Sequence, residues 1–119
     1  MTFREEILAD GIRLINADCR EVLPTLGKVD ALVSDPPYGM EFRSNHRAVK
    51  HDAIAFDAEE WPLQLCVQLD VEHSKYVFCR WDDLVRVRKP RSLVTWVKNN
   101  WSMGDLEHEH ARQTEVALF

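Results

Sequence analysis

The sequence predicts an α/β fold, and three observations carry that expectation. Short apolar or β-branched runs alternate with helix-like stretches along the chain. The length of 119 residues is that of one domain, since domains most often hold roughly 100–150 residues. The composition, 45% apolar and 29% charged, is that of a globular protein and excludes disordered or fibrous classes. Strand, helix, strand, helix, strand in succession is the pattern of a sheet joined by crossover connections.

Taken in order, Ile12 to Ile15 is a short strand closed by Asn16-Ala17-Asp18. Cys19 to Leu26 reads as a short helix capped by Asp18, and Pro24 limits it to an irregular turn or two. Val29 to Ser34 is a buried strand, cut off by Asp35-Pro36-Pro37. Residues 40–56 are polar and basic without a period, and read as one long loop. Ala58 to His73 is expected to be the longest helix, with Trp61, Leu65 and Leu69 four apart and Pro62 in its first turn. Lys75 to Cys79 is a strand, Asp82 to Val87 a short helix, Ser92 to Val97 a strand, and Glu115 to Phe119 the start of another. The whole chain, 1–119, is read as a single domain.

The formal charge of −5 argues against a general nucleic-acid coat protein. Two stretches are nevertheless basic and could contact phosphate: Arg80 to Lys98, and the loop with Arg43, His46, Arg47 and Lys50. No apolar run approaches the ~18 residues that a membrane span needs. Met1 to Glu6 holds no apolar signal core, so neither a membrane nor export is expected. Cys19, Cys66 and Cys79 are too few and too widely spaced for a disulfide framework or a zinc ribbon, which fits reduced thiols in the cytoplasm.

The most informative residues are Asp35-Pro36-Pro37-Tyr38-Gly39. They stand directly after the best strand, where ligands bind in open α/β sheets. A rigid strand-to-loop turn would explain the prolines alone, but chemistry has a use for the whole set. The lone pair of an exocyclic amino group on a nucleobase is conjugated with the ring and is a poor nucleophile. A carboxylate (Asp35) and a fixed carbonyl (Pro36, or the peptide to Pro37) accepting its two N–H bonds would draw charge to nitrogen as it becomes tetrahedral. Tyr38 offers an aromatic face to a base taken out of the helix.

In these residues the chain resembles the amino-methylating DNA methyltransferases, which use S-adenosylmethionine (SAM) and carry an Asp-Pro-Pro-Tyr signature. Asn16-Ala17-Asp18-Cys19-Arg20-Glu21-Val22-Leu23 resembles the segment before the signature in members with an early catalytic motif, with Ala17 where Gly is usual. Lys98 to Asp105 and Glu115 to Phe119 are similar to stretches of phage and prophage adenine methylases. The resemblance implies a Rossmann-like SAM-dependent fold, incomplete here, with a mixed sheet and flanking helices. It implies methyl transfer to adenine N6, with cytosine N4 as second choice, on double-stranded DNA, and a place in restriction-modification. It gives Asp35, Pro36, Pro37 and Tyr38 the catalytic roles; Asp18, Cys19 and Asp35 the cofactor; and Arg43, His46, Arg47 and Lys50 the DNA. Asp18 is equally well explained as a helix cap. An RNA or protein amino-methyltransferase is a further option, which Asp at position 35 disfavours.

Other features are weaker. His108-Glu109-His110 lacks the i, i+4 spacing of a helical zinc motif, and Asp82-Asp83 is more simply a helix cap than a metal site, so no metal is expected. Trp61, Trp81 and Trp96 are expected in the core or packed at its edge, Trp101 is the fair candidate for a base contact, and Cys79 is expected to be buried. No Phe-x-Gly-x-Gly loop occurs; the four glycines are isolated, and the chain stops inside a strand. It therefore reads as the N-terminal portion of a longer enzyme. The Val29–Ser34 strand should then have an open edge and the Ile12–Ile15 strand should lose its usual neighbour. Self-association through that edge, or pairing with a C-terminal half, would follow. The alternative to an enzyme is an inactive remnant that retains only DNA or partner binding.

Overall fold

The computed structural model describes residues 4–41, 52–87, 89–102 and 112–119. The chain opens with an antiparallel hairpin of β1 (Arg4–Ile7) and β2 (Arg13–Asn16). The second hairpin strand lies where the sequence places one, but its partner β1 is an addition to that expectation. Asp10 (φ 66°) and Gly11 (φ 77°) turn the chain through the left-handed region that Gly, and among the others Asp, tolerate best. Leu8 N–H closes the turn on Ile12 O at 2.8 Å, and Arg13 pairs with Glu5 across the strands. Strand β2 thus pairs with β1, in a two-stranded sheet separate from the four-stranded one.

Helix α1 (Cys19–Val22) runs into a 3-10 turn over Leu23–Thr25, the broken helix that Pro24 predicts. Strand β3 (Ala31–Ser34) follows, then α2 (Trp61–Gln68), β4 (Ser74–Cys79), a 3-10 turn over Trp81–Val85, β5 (Leu93–Ser102) and β6 (Arg112–Leu118). Helix α2 is half the length expected. Pro62 sets its start, as it should, but after Gln68 the chain turns extended at Leu69. The N–H groups of Glu72 and His73 then bond Val29 O and Asp30 O at 2.8 Å each, prolonging the β3–β4 pairing. A longer helix would forfeit those bonds. The Lys75 ammonium closes the helix end by donating to Val67 O (2.5 Å) and Leu69 O (2.9 Å), carbonyls near the end of the helix where partners run out.

The four strands form one mixed sheet in the order β3-β4-β6-β5, with β3 and β4 parallel and the other pairs antiparallel. Pairing places Leu32, Ser34, Val77, Cys79, Val116 and Leu118 on one face and Val33, Tyr76, Phe78, Ala117, Val94 and Trp96 on the other. Leu63, Cys66 and Val67 of α2, with Leu84 and Val87, pack on the first face and make the core with Val77 and Cys79. Strand β3 is an edge strand whose Ala31 and Val33 are exposed, which corrects the expectation of a buried strand. Trp61 is half-buried, but Trp81 and Trp96 are exposed, contrary to expectation. Trp96 falls on the other face by the two-residue period, and in the 81–85 turn the side chains directed inward are Asp83 and Leu84. No helix among the described residues is long and apolar enough to cross a membrane.

Candidate active site

The loop after β3 leaves the sheet at its edge. Asp35 is exposed, Pro36 is buried, and Pro37, Tyr38 and Gly39 are half-buried. Two successive prolines fix φ and so direct the chain away from the strand without a swinging backbone. The Tyr38 hydroxyl turns back and donates to Asp35 Oδ1, so the motif's acid and its aromatic residue form one hydrogen-bonded unit. The sequence suggested only the ring of Tyr38 as useful; the structure employs the hydroxyl as well.

Behind this unit the backbone is held in an unusual conformation. Gly39 (φ 71°), Glu41 (φ 49°) and Phe56 (φ 64°) all lie in the left-handed region, which costs a residue with a side chain about 1–2 kcal/mol. Asp57, 4% exposed, reaches across from the other side of the 42–51 segment. Its Oδ1 accepts from Gly39 N–H (3.1 Å) and Met40 N–H (3.3 Å), and its carbonyl accepts from Glu41 N–H (3.0 Å). A Cβ on Gly39 would stand 3.0 Å from Glu59 O, so this position requires glycine both for φ and for space. Asp57 carries no local sequence signal, because its partners are 17 and 18 residues away.

On the helical side, Asp18 caps α1, accepting from Arg20 N–H at 2.9 Å as the sequence predicts. The same carboxylate takes the Arg20 guanidinium at 2.5–3.2 Å. The Arg20 side chain, then the backbone bond, holds the Asp18 carboxyl down to about 2, so it is a carboxylate at any physiological pH. Arg20 also lies over the rings of Trp61 (4.5 Å) and Phe56 (5.4 Å), which meet edge to face at 5.1 Å. These side chains border a mainly apolar cavity of about 290 Å³ lined by Asp18, Cys19, Pro36, Pro37, Trp61 and Cys66 among others. The Trp61 indole N–H is buried and has no hydrogen-bond partner among the described residues. Cys19 is exposed; burial raises the Cys66 thiol, partly offset by its contact with Ser34 Oγ at 3.4 Å.

The structure thus brings Asp18, Cys19, Pro36 and Pro37 to one cavity, with Asp35 and Tyr38 continuing the same loop. Phe56 and Trp61 also line that cavity, Arg20 binds Asp18 and Asp57 holds the loop behind Tyr38, although the sequence marked none as a site residue; only Arg20, two positions past a capping Asp, could have been suspected. Arg43, His46, Arg47, Lys50 and the His108-Glu109-His110 run lie outside the described residues. Asp83 is fully buried and caps its turn, as expected of the Asp82-Asp83 pair, accepting from Arg80 N–H at 3.1 Å and from the side chains of Arg80 and Arg86. Burial pushes its carboxyl up, and those bonds more than reverse the push. Among the described residues no cluster of His, Cys, Asp or Glu could hold a metal ion. A larger cavity of about 610 Å³ lies at the opposite end of β4, around His73, Lys75 and Arg91, and holds none of the predicted site residues.

No family model and no curated protein matches this chain. Among solved structures, the crystal structure of the M1.HpyAVI–SAM complex is similar with a TM-score of 0.50 at 22% sequence identity. The match covers 86% of this chain and 50% of that one, so the chain spans about half the length of that protein. The likeness establishes the fold: the mixed α/β sheet with flanking helices is one on which a SAM complex is built.

Proposed function

We propose that this chain carries the catalytic loop of a SAM-dependent methyltransferase acting on an exocyclic amino group in DNA, adenine N6 before cytosine N4. The observation that supports it most is the placement of Asp35–Tyr38 at the carboxyl end of β3, beside a cavity that also holds Asp18 and Cys19. In the similar structure the bound molecule is SAM. The residues here fit part of such a group: an apolar wall for its adenosine, the ionised Asp18 for hydroxyls, and a buried Trp61 N–H without a partner among the described residues. When bound, SAM supplies an activated methyl group.

Asp35 then accepts an N–H of the base's amino group and balances the positive charge that develops on nitrogen. Pro36, held by its own ring and the next, presents a carbonyl as second acceptor. The Tyr38 ring stacks on the flipped base. The Tyr38 hydroxyl occupies Asp35 Oδ1, so the base's N–H meets Oδ2 or shares Oδ1. Arg43, His46, Arg47 and Lys50 bind phosphates of the duplex, and neutralising Arg43, Arg47 or Lys50 lowers the slope of log K against log salt by about 0.9.

A second reading is a non-catalytic chain that retains DNA or partner binding. In either case we propose that the free edge of β3 pairs, with a second copy or with the remaining half of such a fold. Transfer of labelled methyl groups from SAM to duplex DNA tests the enzyme. Asp35→Ala should lower kcat by about 10²–10³, as loss of one preorganised polar group does. Tyr38→Phe, which keeps the ring and frees Asp35, should change it by less than about tenfold. Near-normal turnover by Asp35→Ala would overturn the assignment. A wild-type chain that binds DNA without transferring methyl groups would favour the second reading.

A further inference from the structure

We infer that Asp57 is the positioning residue of the catalytic loop, setting the conformation of Gly39–Glu41 and through it the direction in which Asp35 and Tyr38 face. As a statement about catalysis this rests on the reading of Asp35–Tyr38 given above; as a statement about the loop it does not. Three successive backbone N–H groups behind Tyr38 end on this one residue, two on its carboxylate and one on its carbonyl. Those residues include two in the left-handed region, Gly39 and Glu41, and Phe56 directly before Asp57 is a third. Strained backbone of this kind persists only where its surroundings over-determine it. The surroundings here are Asp57 itself, whose N–H bonds Ile54 O at 3.3 Å, and Glu59, whose N–H bonds Phe56 O at 3.1 Å and whose carbonyl closes on Gly39.

The anchor also links both sides of the site. Phe56, the neighbour of Asp57, and Trp61 at the start of α2 hold Arg20, and Arg20 holds Asp18. Residues 56–61 therefore touch the catalytic loop through Asp57 and the Asp18 carboxylate through Arg20. An aspartate suits the task because one carboxylate oxygen can accept from two adjacent N–H groups, and a charged acceptor makes the stronger bonds. Asparagine keeps that oxygen; alanine removes it.

The test compares wild type, Asp57→Asn and Asp57→Ala by amide hydrogen exchange and by methyl transfer to duplex DNA. Asp57→Ala should speed exchange at Gly39 and Met40 by about tenfold or more, as removal of a hydrogen bond to a charged acceptor does, with the β4–β6 ladder unchanged. Its kcat should fall by about 10–100-fold with KM for SAM within about twofold, since misplacing a reacting group chiefly affects the chemical step. Asp57→Asn should restore most of both. Unchanged exchange at Gly39 and Met40 in Asp57→Ala would overturn the inference. So would equal loss of protection in the β4–β6 ladder, which would mark Asp57 as a plain stability residue. If wild type transfers no methyl group while the exchange pattern is as expected, the anchor stands and the methyltransferase reading falls.

Discussion

On one face of the four-stranded sheet, Val77, Cys79, Val116 and Leu118 are at most 8% exposed beneath Leu63, Cys66 and Leu84; on the other, Val33, Val94 and Trp96 are 49–73% exposed. The two sets are equally apolar and alternate along the same strands. Leu32 and Val33 are neighbours in sequence, yet Leu32 packs against the core while Val33 stands largely in water. The difference teaches that apolar periodicity alone does not decide burial: among the described residues, the face on which α2 and the 81–85 turn dock carries the core.

The largest expected effect probes the covered side. Asp83→Ala removes the buried acceptor shared by Arg80 and Arg86 in the turn that carries Leu84 onto the sheet. It should destabilise the chain by about 3 kcal/mol, read from the shift in urea midpoint. A change below about 0.5 kcal/mol would mean that the turn contributes little to the covered face.

A middle-sized effect comes from the thiols. Burial, then the Asp83 and Asp82 charges, raises the Cys79 thiol to about 11 from an ordinary value of 9.0. Since the folded pKa is the higher one, the unfolded chain loses its proton first. Stability is therefore intact below pH 9 and declines by about 2 kcal/mol as pH rises to 11. Labelling with a thiol reagent should follow the order Cys19, Cys66, Cys79, with Cys79 reacting only on unfolding. Fast labelling of Cys79 would show that the covered face opens readily.

The smallest effect on stability belongs to the uncovered face. Val33→Lys should change it by less than about 0.5 kcal/mol, because the side chain is already in water. It should nonetheless reduce association through the β3 edge, as charges on edge strands do, and sedimentation velocity reads this directly. A large loss of stability would mean that the face is covered within the monomer.

Much of this was legible in the sequence because it rests on short-range rules. Strand β3 and its abrupt end, the Asp18 cap, the helix broken at Pro24, the buried Cys79 and the capping role of the Asp82-Asp83 pair each follow from residues a few positions apart. The β1–β2 hairpin was legible too, in Asp10-Gly11 between apolar residues, but only when that pair is taken as a turn signal. The end of α2 was not, because Glu72 and His73 are claimed by Val29 and Asp30, far back in the chain.

The sequence alone determined where a carboxylate, two prolines and an aromatic residue leave a strand, and with it the chemistry the chain suggests. Tertiary structure decided three other things: that Asp57 reaches Gly39 and Met40, that Arg20 links Asp18 to Trp61 and Phe56, and that Val77 and Cys79 are buried on one face while Val33, Val94 and Trp96 stay exposed on the other. The physical reason is range. Propensity, capping and periodicity act within about one turn or one strand. Which distant donor meets which acceptor, and which of two equal faces finds a partner, depends on how whole elements dock.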